Sequence, residues 1–365
     1  MVKKEIHIIG AGCAGLSLAK YLSIDSKTNT YKINFYGRKS NAFATPNYWS
    51  FWGDQVNLFV EQSIKKKWYE WEIISEESVV THKTKNSPYC TINSREWLAL
   101  CGFEKLVISP NIPEPGPLVF DSRNPRASSG GLTQEFVGQT IEVKKPLFNP
   151  KSVTLMDFRC DQRQGPHFIY ILPFSSTSAL IESTRISEFL CPSKYYKEAI
   201  KKYLTERLKC IEYRIIAEEY GKIPMGHVVK HDSNYLGIGS NGNCLRKSSG
   251  YAFNSIQHQT QQIAAQISAG QTITRQRQIP FAFSRLETIL DSIFLMALKR
   301  QPHKAPEFFI KISKRLTGDE FASFMSGKTR LNILLKIICA LPKIPFLKAG
   351  FQTIQAKLYH GTDID

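Results

Sequence analysis

One glutamate of this 365-residue chain stands where a charge is costly. Glu182 directly follows the apolar run Ala179-Leu180-Ile181, and residues 170–185 predict two short strands around a Pro-Phe-Ser-Ser turn. Burying an unpaired carboxylate costs several kcal/mol, so such a side chain is turned outward, paired with a partner, or kept protonated for a purpose. The residues around Glu182 leave these three alternatives open.

A glycine motif near the start of the chain predicts an anion-binding turn. Residues 5–9 form an apolar strand, Gly10-x-Gly12-x-x-Gly15 follows, and residues 16–22 have helical character. Glycines permit the tight turn and let the backbone approach a pyrophosphate, and the helix N-terminus supplies free N–H donors. We expect Gly10, Gly12 and Gly15 to bind a dinucleotide cofactor, with a ligand-free glycine-rich turn as the alternative.

A second glycine-rich turn leads into a long helix within residues 234–267. It contains Gly239, Gly242 and Gly250 together with Arg246. Its backbone donors and the following helix N-terminus suit the remaining, anionic part of the same cofactor. The alternative is a flexible loop that merely precedes a helix.

The acid that usually binds the adenosine ribose is missing from its expected place. The predicted strand at residues 30–38 ends in Gly37-Arg38, where Asp or Glu normally stands. Another predicted strand ends at Asp121, with Arg123 at the tip of its turn. Because strand ends form the ligand edge of a nucleotide-binding sheet, Asp121 is a candidate cofactor residue.

Four of the five tryptophans lie within residues 47–73. Rings such as Trp49 and Trp52 could line an apolar substrate channel and stabilise a cation through their faces. They could equally fill a domain core, and the sequence favours neither interpretation.

Composition describes a folded, basic protein with a net charge of +17. The eight cysteines form no Cys-x-x-Cys pair, which indicates free thiols in a reducing cytosol. His227 and His231 are four residues apart with no cysteine nearby, and we interpret them as part of a solvated loop rather than as metal ligands. No nucleic-acid-binding module is recognisable, which argues against a nucleic-acid partner.

The C-terminal region is helical, apolar and basic. Residues 299–357 contain twelve Lys or Arg and three Asp or Glu, a difference of +9. The most apolar segment, residues 331–350, is interrupted by lysines and prolines and does not predict a membrane span. Basic and apolar residues in alternation are typical of a helix on an anionic membrane surface.

Together these motifs resemble the bacterial lycopene cyclases, which are flavoproteins with two dinucleotide-binding domains. The segments that carry the resemblance occur in the expected order at residues 8–19, 51–54, 119–123, 156–162, 170–185, 221–226 and 238–253. The family's acidic strand motif, a Glu-Asp/Glu-Thr run, corresponds to Glu182-Ser183-Thr184, so its second acid is replaced here.

The resemblance implies an α/β fold of the FAD/NAD(P)-binding Rossmann-like class with an antiparallel β-sheet substrate domain and a helical C-terminal region. We expect a discontinuous FAD-binding domain (1–140 and 220–270), a β-rich substrate region (141–219) and a basic helical region (271–365) in contact with the membrane. The implied location is cytoplasmic, peripheral on the inner face of the membrane.

The resemblance also implies a reaction, the redox-neutral closure of the acyclic ends of lycopene to β-ionone rings. A terminal alkene is protonated, the cation is attacked by a neighbouring alkene, and a proton is then lost. The implied acid is Glu182, the implied substrate-binding residues are Trp49, Trp52 and Phe174, and the implied cofactor is FAD reduced by NADPH. A negatively charged reduced flavin would stabilise the cation without net electron transfer.

Two other functions fit the same motifs. A prenyl-chain reductase or an FAD monooxygenase would share both glycine loops and would change the mass of its substrate. A non-catalytic carotenoid- or lipid-binding relative would account for the missing acid at Gly37.

Overall fold

The computed structural model describes residues 4–28, 31–37, 47–53, 56–103, 107–232, 234–271, 273 and 283–360. Arg38 and Asp54 lie outside these ranges. Within them the chain forms a parallel sheet, a large mostly antiparallel sheet, two smaller sheets and ten helices.

The parallel sheet carries the nucleotide-binding motif. Its five strands lie in the order β17-β9-β1-β2-β8, and these are β1 (Glu5–Ile9), β2 (Lys32–Tyr36), β8 (Ile108–Ser109), β9 (Val119–Asp121) and β17 (Leu236–Gly237). Strand β1 lies at the centre of this sheet, and its apolar side chains are fully buried. Helices α1 (Cys13–Ile24) and α5 (Phe253–Ser268) pack against each other, and each follows one of the glycine-rich turns.

The large sheet has seven strands in the order β15-β11-β14-β13-β12-β5-β6. They are β5 (Glu70–Ile74), β6 (Val79–Lys83), β11 (Thr133–Glu142), β12 (Ser152–Asp157), β13 (His167–Pro173), β14 (Ser178–Ser187) and β15 (Arg214–Pro224). Only β12 and β5 pair in parallel within it. One face packs against α4 (Ser193–Glu206), whose buried Tyr196, Ile200, Tyr203 and Leu204 recur at helical spacing.

Two small sheets connect these layers. One consists of β3 (Tyr48–Trp52), β4 (Ile64–Trp68) and β7 (Tyr89–Asn93), and the other of β10 (Arg126–Ala127) and β16 (Val228–Val229). Helices α2 (Leu58–Ser63) and α3 (Ser94–Cys101) adjoin the first of them, and Asn57 and Asn93 cap their N-termini through side-chain oxygens.

The C-terminal part of the chain is helical, as the composition predicts. It consists of α6 (Arg285–Arg300), α7 (Ala305–Arg315), α8 (Gly318–Met325), α9 (Leu331–Ala340) and α10 (Lys343–His360). Their buried side chains form one core with the free face of the seven-stranded sheet. Among the described residues, no helix is both long and apolar enough to cross a membrane.

The seven-stranded sheet extends beyond residues 141–219, the range expected for the β-rich substrate region. Strands β5 and β6 come from residues 70–83, β11 starts at Thr133, and β15 ends at Pro224. The sequence suggests only the central hairpins, because hydrogen bonding between strands so distant in the chain leaves no local pattern.

Candidate active site

Glu182 lies at the centre of the seven-stranded sheet, in a row of directly paired residues. The backbone of Glu182 on β14 pairs with Tyr170 on β13 and with Gly138 on β11. Gly138 pairs in turn with Glu219 on β15. Directly paired residues point to the same face of a sheet, so Tyr170, Glu182 and Glu219 share one face.

Gly138 leaves the space in which the two glutamates approach each other. A Cβ atom at Gly138 would lie 3.0 Å from Cγ of Glu182 and 2.9 Å from Cγ of Glu219. It would also lie 3.1 Å from Oε1 of Glu219. Both side chains therefore lean over the glycine, and any other residue between them would drive them apart.

Both glutamates are at least partly buried and lack a cationic partner among the described residues. Glu219 is 6% exposed, and its Oε2 accepts a 2.9 Å hydrogen bond from the backbone N–H of Tyr48. Its Oε1 is buried and has no hydrogen-bond donor by geometry among the described residues. Glu182 is partly buried. No lysine or arginine in the described part of the chain forms an ion pair with either carboxyl group.

Burial shifts both acids toward the neutral form. Desolvation, followed by the charge of Glu219, raises the pKa of Glu182 well above 4.5. Desolvation also raises the pKa of Glu219, to about 7, although hydrogen bonds from Glu182 and from the N–H of Tyr48 oppose this increase. The backbone donor therefore favours the charge on Glu219 and the proton on Glu182.

Three tyrosine hydroxyls, those of Tyr89, Tyr170 and Tyr251, form a cluster beside the acids. The hydroxyl of Tyr89 lies 2.9 Å from each of the other two, and Tyr170 donates to Oγ of Ser50 at 3.1 Å. Burial raises the pKa of all three hydroxyls. The tyrosine cluster therefore stays neutral and occupies polar positions that water would otherwise take.

Ser183, the residue that replaces the second acid of the family motif, lies on the other face of the sheet. Its hydroxyl is 2.8 Å from Nε2 of His167, and both residues are fully buried. Desolvation lowers the pKa of His167, so this is a neutral structural hydrogen bond. The second carboxyl of the site comes instead from Glu219, which lies 37 residues after Glu182, too far along the chain for a local sequence pattern to indicate it.

The predicted substrate residues divide between two faces of β3. Trp52 lies on the same face of the strand as Tyr48 and Ser50, and Trp49 lies on the opposite face. The backbone N–H of Tyr48 bonds Glu219, and the hydroxyl of Ser50 bonds Tyr170. Trp52 packs edge-on against Tyr251, with ring centroids 4.9 Å apart, but is only 1% exposed. Trp49 packs instead against the core of the nucleotide-binding domain, away from the acid site.

Phe174, the third predicted substrate residue, follows the end of β13. Its ring lies 5.0 Å from that of Tyr48, measured between centroids. Phe174 thus packs against the residue whose backbone N–H bonds Glu219.

A cavity of about 250 Å³ lies on the same face of the sheet as the acids. Its sheet side includes Phe168 and Ile186. Phe168 is two residues from Tyr170 on β13 and Ile186 is four residues from Glu182 on β14, so all four side chains point to the same face. The remaining lining is mostly apolar and comes from the C-terminal helices, including Phe294, Phe309, Phe321, Leu334, Ile337 and Phe346. An apolar molecule of matching width fits this environment.

The first glycine turn has the geometry that a pyrophosphate requires. Gly10 has φ +93°, in the region that favours glycine. A Cβ at Gly15 would lie 2.3 Å from the carbonyl oxygen of Gly10, so only glycine allows the helix to pack this close to the strand. A Cβ at Gly12 would meet nothing within 4 Å, and no side chain caps α1 there. No side chain therefore competes for the first N–H groups of α1, which a dinucleotide would need.

The second glycine turn packs directly against the first helix. A Cβ at Gly239 would lie 2.5 Å from Cβ of Ala14 on α1. A Cβ at Gly242 would likewise lie 2.5 Å from the carbonyl oxygen of Gly237. Gly250 precedes Tyr251, so this loop connects the nucleotide-binding sheet to the tyrosine cluster. No side chain caps α5, the helix that follows.

Asp121 ends β9 beside the first glycine turn, but its carboxylate is already occupied. It accepts hydrogen bonds from the backbone and guanidinium of Arg123, at 2.8–3.0 Å, and is fully buried. The next residue, Ser122, donates through Oγ to the carbonyl of Gly10 at 2.8 Å. Asp121 thus shapes the edge of the glycine turn. Gly37 lies near Gly10 and brings no acid to this edge.

Arg246 was predicted to bind the cofactor, and the structure corrects this. Its guanidinium is 1% exposed and lies 3.7 Å from Glu287 and 3.4 Å from Asp291, both on α6. Ser248 donates to Asp291 at 2.7 Å. A guanidinium held by two carboxylates is not free for a pyrophosphate, so Arg246 attaches the second glycine turn to the C-terminal helices.

Metal ligands are not grouped in the described part of the chain, where no three His, Cys, Asp or Glu side chains come together in a suitable cluster. His231 hydrogen-bonds the carbonyl of Asn124 at 2.9 Å.

Comparison with solved structures identifies the fold. A flavoprotein/dehydrogenase from Cytophaga hutchinsonii matches with a TM-score of 0.57 and 10% identity, over 97% of this chain and 100% of that one. A geranylgeranyl bacteriochlorophyll reductase-like protein from Thermoplasma acidophilum matches with a TM-score of 0.54 and 11% identity, over 96% and 100%. The chain thus has the Rossmann-like fold of flavin-dependent enzymes, as expected.

Sequence comparison identifies the family. A lycopene beta-cyclase from Paracoccus sp. (strain N81106 / MBIC 01143) is 47% identical over 55 residues, which are 15% of this chain and 14% of that protein. The chloroplastic neoxanthin synthase of Solanum tuberosum is 25% identical over 297 residues, 68% of this chain and 57% of that protein. The sequence model of the family described as "Lycopene cyclase protein" matches residues 104–350, more than half of the chain. The resemblance inferred from the motifs is confirmed, and the chain belongs to the lycopene cyclase family.

Proposed function

We propose that this protein closes the acyclic ends of lycopene, or of a related acyclic carotenoid, to β-ionone rings. This is an isomerisation in the biosynthesis of β-carotene. The observation that carries the proposal is the Glu182 carboxyl group, which burial keeps neutral on the face of the sheet that also lines an apolar cavity. An alkene is a very weak base, so its protonation needs a neutral acid in a dry site.

The surroundings of Glu182 suit a carbocation intermediate. The tyrosine cluster fills the polar positions near the acid with hydroxyls that are already hydrogen-bonded to one another. Water is thereby kept from capturing the cation as an alcohol. Trp52 packs behind Tyr251 and holds its ring in place.

We further propose that reduced FAD is the cofactor and that NADPH supplies its electrons. Gly10, Gly12 and Gly15 would hold the pyrophosphate, because no side chain caps the N-terminus of α1. The second turn around Gly239 and Gly250 would hold the rest, because α5, the helix that follows it, also has no side-chain cap. When bound, the reduced flavin would supply a negative charge that stabilises a nearby cation without being consumed.

An anionic membrane surface is the proposed source of the substrate, which would place the protein in the cytoplasm on the inner face of the membrane. Ile338, Leu347 and Lys343 belong to the outer lining of the cavity. Large apolar side chains beside them are exposed on α9 and α10, and these are Leu331 (70%), Leu335 (61%), Ile344 (68%) and Phe351 (70%). Exposed apolar residues among lysines suit insertion between anionic headgroups.

The test is expression in a lycopene-accumulating host, followed by separation and mass determination of the pigments. Cyclisation gives a product of the same mass as lycopene, whereas a reductase or monooxygenase on this fold changes the mass. We expect Glu182→Gln to lower ring formation by about 100-fold or more, the scale of general acid catalysis. Full activity of this variant would refute the assignment of Glu182.

Bound flavin separates the enzyme from a non-catalytic relative. We expect the purified protein to bind FAD at stoichiometric occupancy. Failure to bind FAD at any concentration would support a carotenoid- or lipid-binding function instead.

A further inference from the structure

We propose that Glu219 is the proton-sharing partner of Glu182, so that the two carboxyl groups hold one proton between them across Gly138. The inference rests on the proposed function, and it assigns Glu219 a positioning role that acts through Glu182. Glu182, Gly138 and Glu219 lie in direct register on three neighbouring strands, and Gly138, the residue in the middle, has no side chain.

The orientation of Glu219 suits this role. Its Oε2 is held by the N–H of Tyr48 at 2.9 Å. Its other oxygen, Oε1, lies over Gly138 on the side of Glu182 and has no donor by geometry among the described residues. A buried acceptor without a donor is unfavourable, and the O–H of a protonated Glu182 supplies the donor. The proton therefore stays on Glu182 and the charge on Glu219.

The other titratable groups that face the pair leave this assignment intact. They are the hydroxyls of Tyr170 on β13, Tyr89 on β7 and Tyr251 on the second glycine turn, all of which remain neutral. Within the described residues, no cation pairs with the two acids, so one negative charge persists on the pair.

The pair also accounts for every proton of the cyclisation. The O–H bond of Glu182 breaks and a C–H bond forms at the terminal alkene carbon. Electrons of the neighbouring alkene close the ring by forming a C–C bond. A ring C–H bond then breaks, its electrons form the new double bond, and the proton returns to the pair. During the cationic stage both carboxylates are charged and repel each other, which favours return of the proton.

The decisive experiment compares the pH dependence of ring formation in Glu219→Gln, Glu219→Asp and the wild type. Glu219→Gln removes the neighbouring charge, so Glu182 loses its proton at lower pH. We expect the alkaline limb of the activity profile to move down by about one pH unit or more. Glu219→Asp keeps the charge and should keep the limb near its wild-type position. A uniform loss of rate in Glu219→Gln, with the limb unmoved, would overturn the proposal.

Glu218→Gln is the matched control. Glu218 is the preceding residue on β15, points to the opposite face and pairs with Lys197 at 2.6 Å. We expect the pH–activity profile of Glu218→Gln to match that of the wild type. If the alkaline limb also moved in this control, a specific role of Glu219 would be contradicted.

Infrared titration tests the pair without requiring turnover. We expect a buried carboxylic-acid C=O band at neutral pH in the wild type that is lost at lower pH in Glu219→Gln. Absence of the band in the wild type would refute proton sharing even if cyclisation occurs. Its presence in a protein that forms no rings would refute the proposed function alone.

Discussion

Glu182 and Ser183 are adjacent in the chain, yet their side chains lie on opposite faces of the seven-stranded sheet. Glu182 shares its face with Glu219 and the tyrosine cluster, whereas Ser183 bonds His167 on the α4 side. Successive residues of a strand alternate between faces. The replacement of the second motif acid by serine therefore removes no carboxylate from the site.

Ser183→Ala should affect stability more than activity. The substitution leaves Nε2 of the buried His167 without its 2.8 Å partner, which costs about 1–3 kcal/mol of unfolding free energy. Ring formation per folded molecule should stay within about threefold of the wild type, because the hydroxyl does not face the acid site. Denaturant unfolding and pigment assays measure the two effects. A large loss of activity at unchanged stability would contradict this arrangement.

Gly138→Ala should separate the two acids. The new Cβ would meet Cγ of both glutamates at 2.9–3.0 Å, which forces at least one side chain away. We expect about 100-fold slower ring formation, the scale of a misplaced catalytic group. Gly116→Ala is the control, because its Cβ meets only a side-chain methyl of Val119 at 3.5 Å. Equal activity of both variants would show that the approach over Gly138 is not needed.

Gly12→Ala should weaken cofactor binding without changing the fold. A Cβ there meets no protein atom within 4 Å, so any clash must come from a ligand. We expect the melting temperature of the flavin-free protein to be unchanged and the affinity for FAD to fall by on the order of tenfold, because backbone approach to the pyrophosphate is blocked. Fluorescence titration with FAD measures this. Unchanged affinity would place the cofactor elsewhere.

Arg246→Met should destabilise the protein while leaving the affinity for FAD intact. Removing the guanidinium leaves Glu287 and Asp291 buried without their cation, at a cost of about 3–5 kcal/mol. Adding Glu287→Gln and Asp291→Asn to this variant should recover much of the loss. If FAD affinity fell while stability stayed constant, Arg246 would be a cofactor residue after all.

Stability should fall as pH rises through neutrality, because of the buried acids. In the folded protein the pKa of Glu219 is raised to about 7 and that of Glu182 is raised well above 4.5. Between pH 4.5 and these values the folded state holds protons that the unfolded chain has released, so higher pH favours unfolding. Glu219→Gln removes part of this dependence, and its melting temperature should rise relative to the wild type from pH 5 to pH 8.

Glu218→Gln should change the melting temperature in the opposite direction to Glu219→Gln. Its hydrogen bonds from Lys197 and Gln139 lower the pKa of Glu218, so the native carboxylate stabilises the fold above the ordinary pKa of 4.5. The variant should therefore melt below the wild type at pH 8 and approach it in acid. The same sign in both variants would contradict the assignment of the two glutamates to opposite faces.

Local sequence patterns are sufficient to predict the local features of this protein. The first glycine motif, the strand and helix around it, the amphipathic helix α4 and the unusual position of Glu182 can all be identified, because turn geometry and side-chain periodicity are encoded within a few neighbouring residues. The family resemblance rests on the same local motifs.

Which residues come together in the site depends on the tertiary structure. Glu219 joins Glu182 through pairing of β15 and β14 with β11, Trp49 turns away from the site, and Arg246 is neutralised by α6. Each of these depends on strand register or on contacts between residues tens of positions apart. A shift of register by one residue would exchange the faces of a strand, so no local pattern determines which side chains form the site.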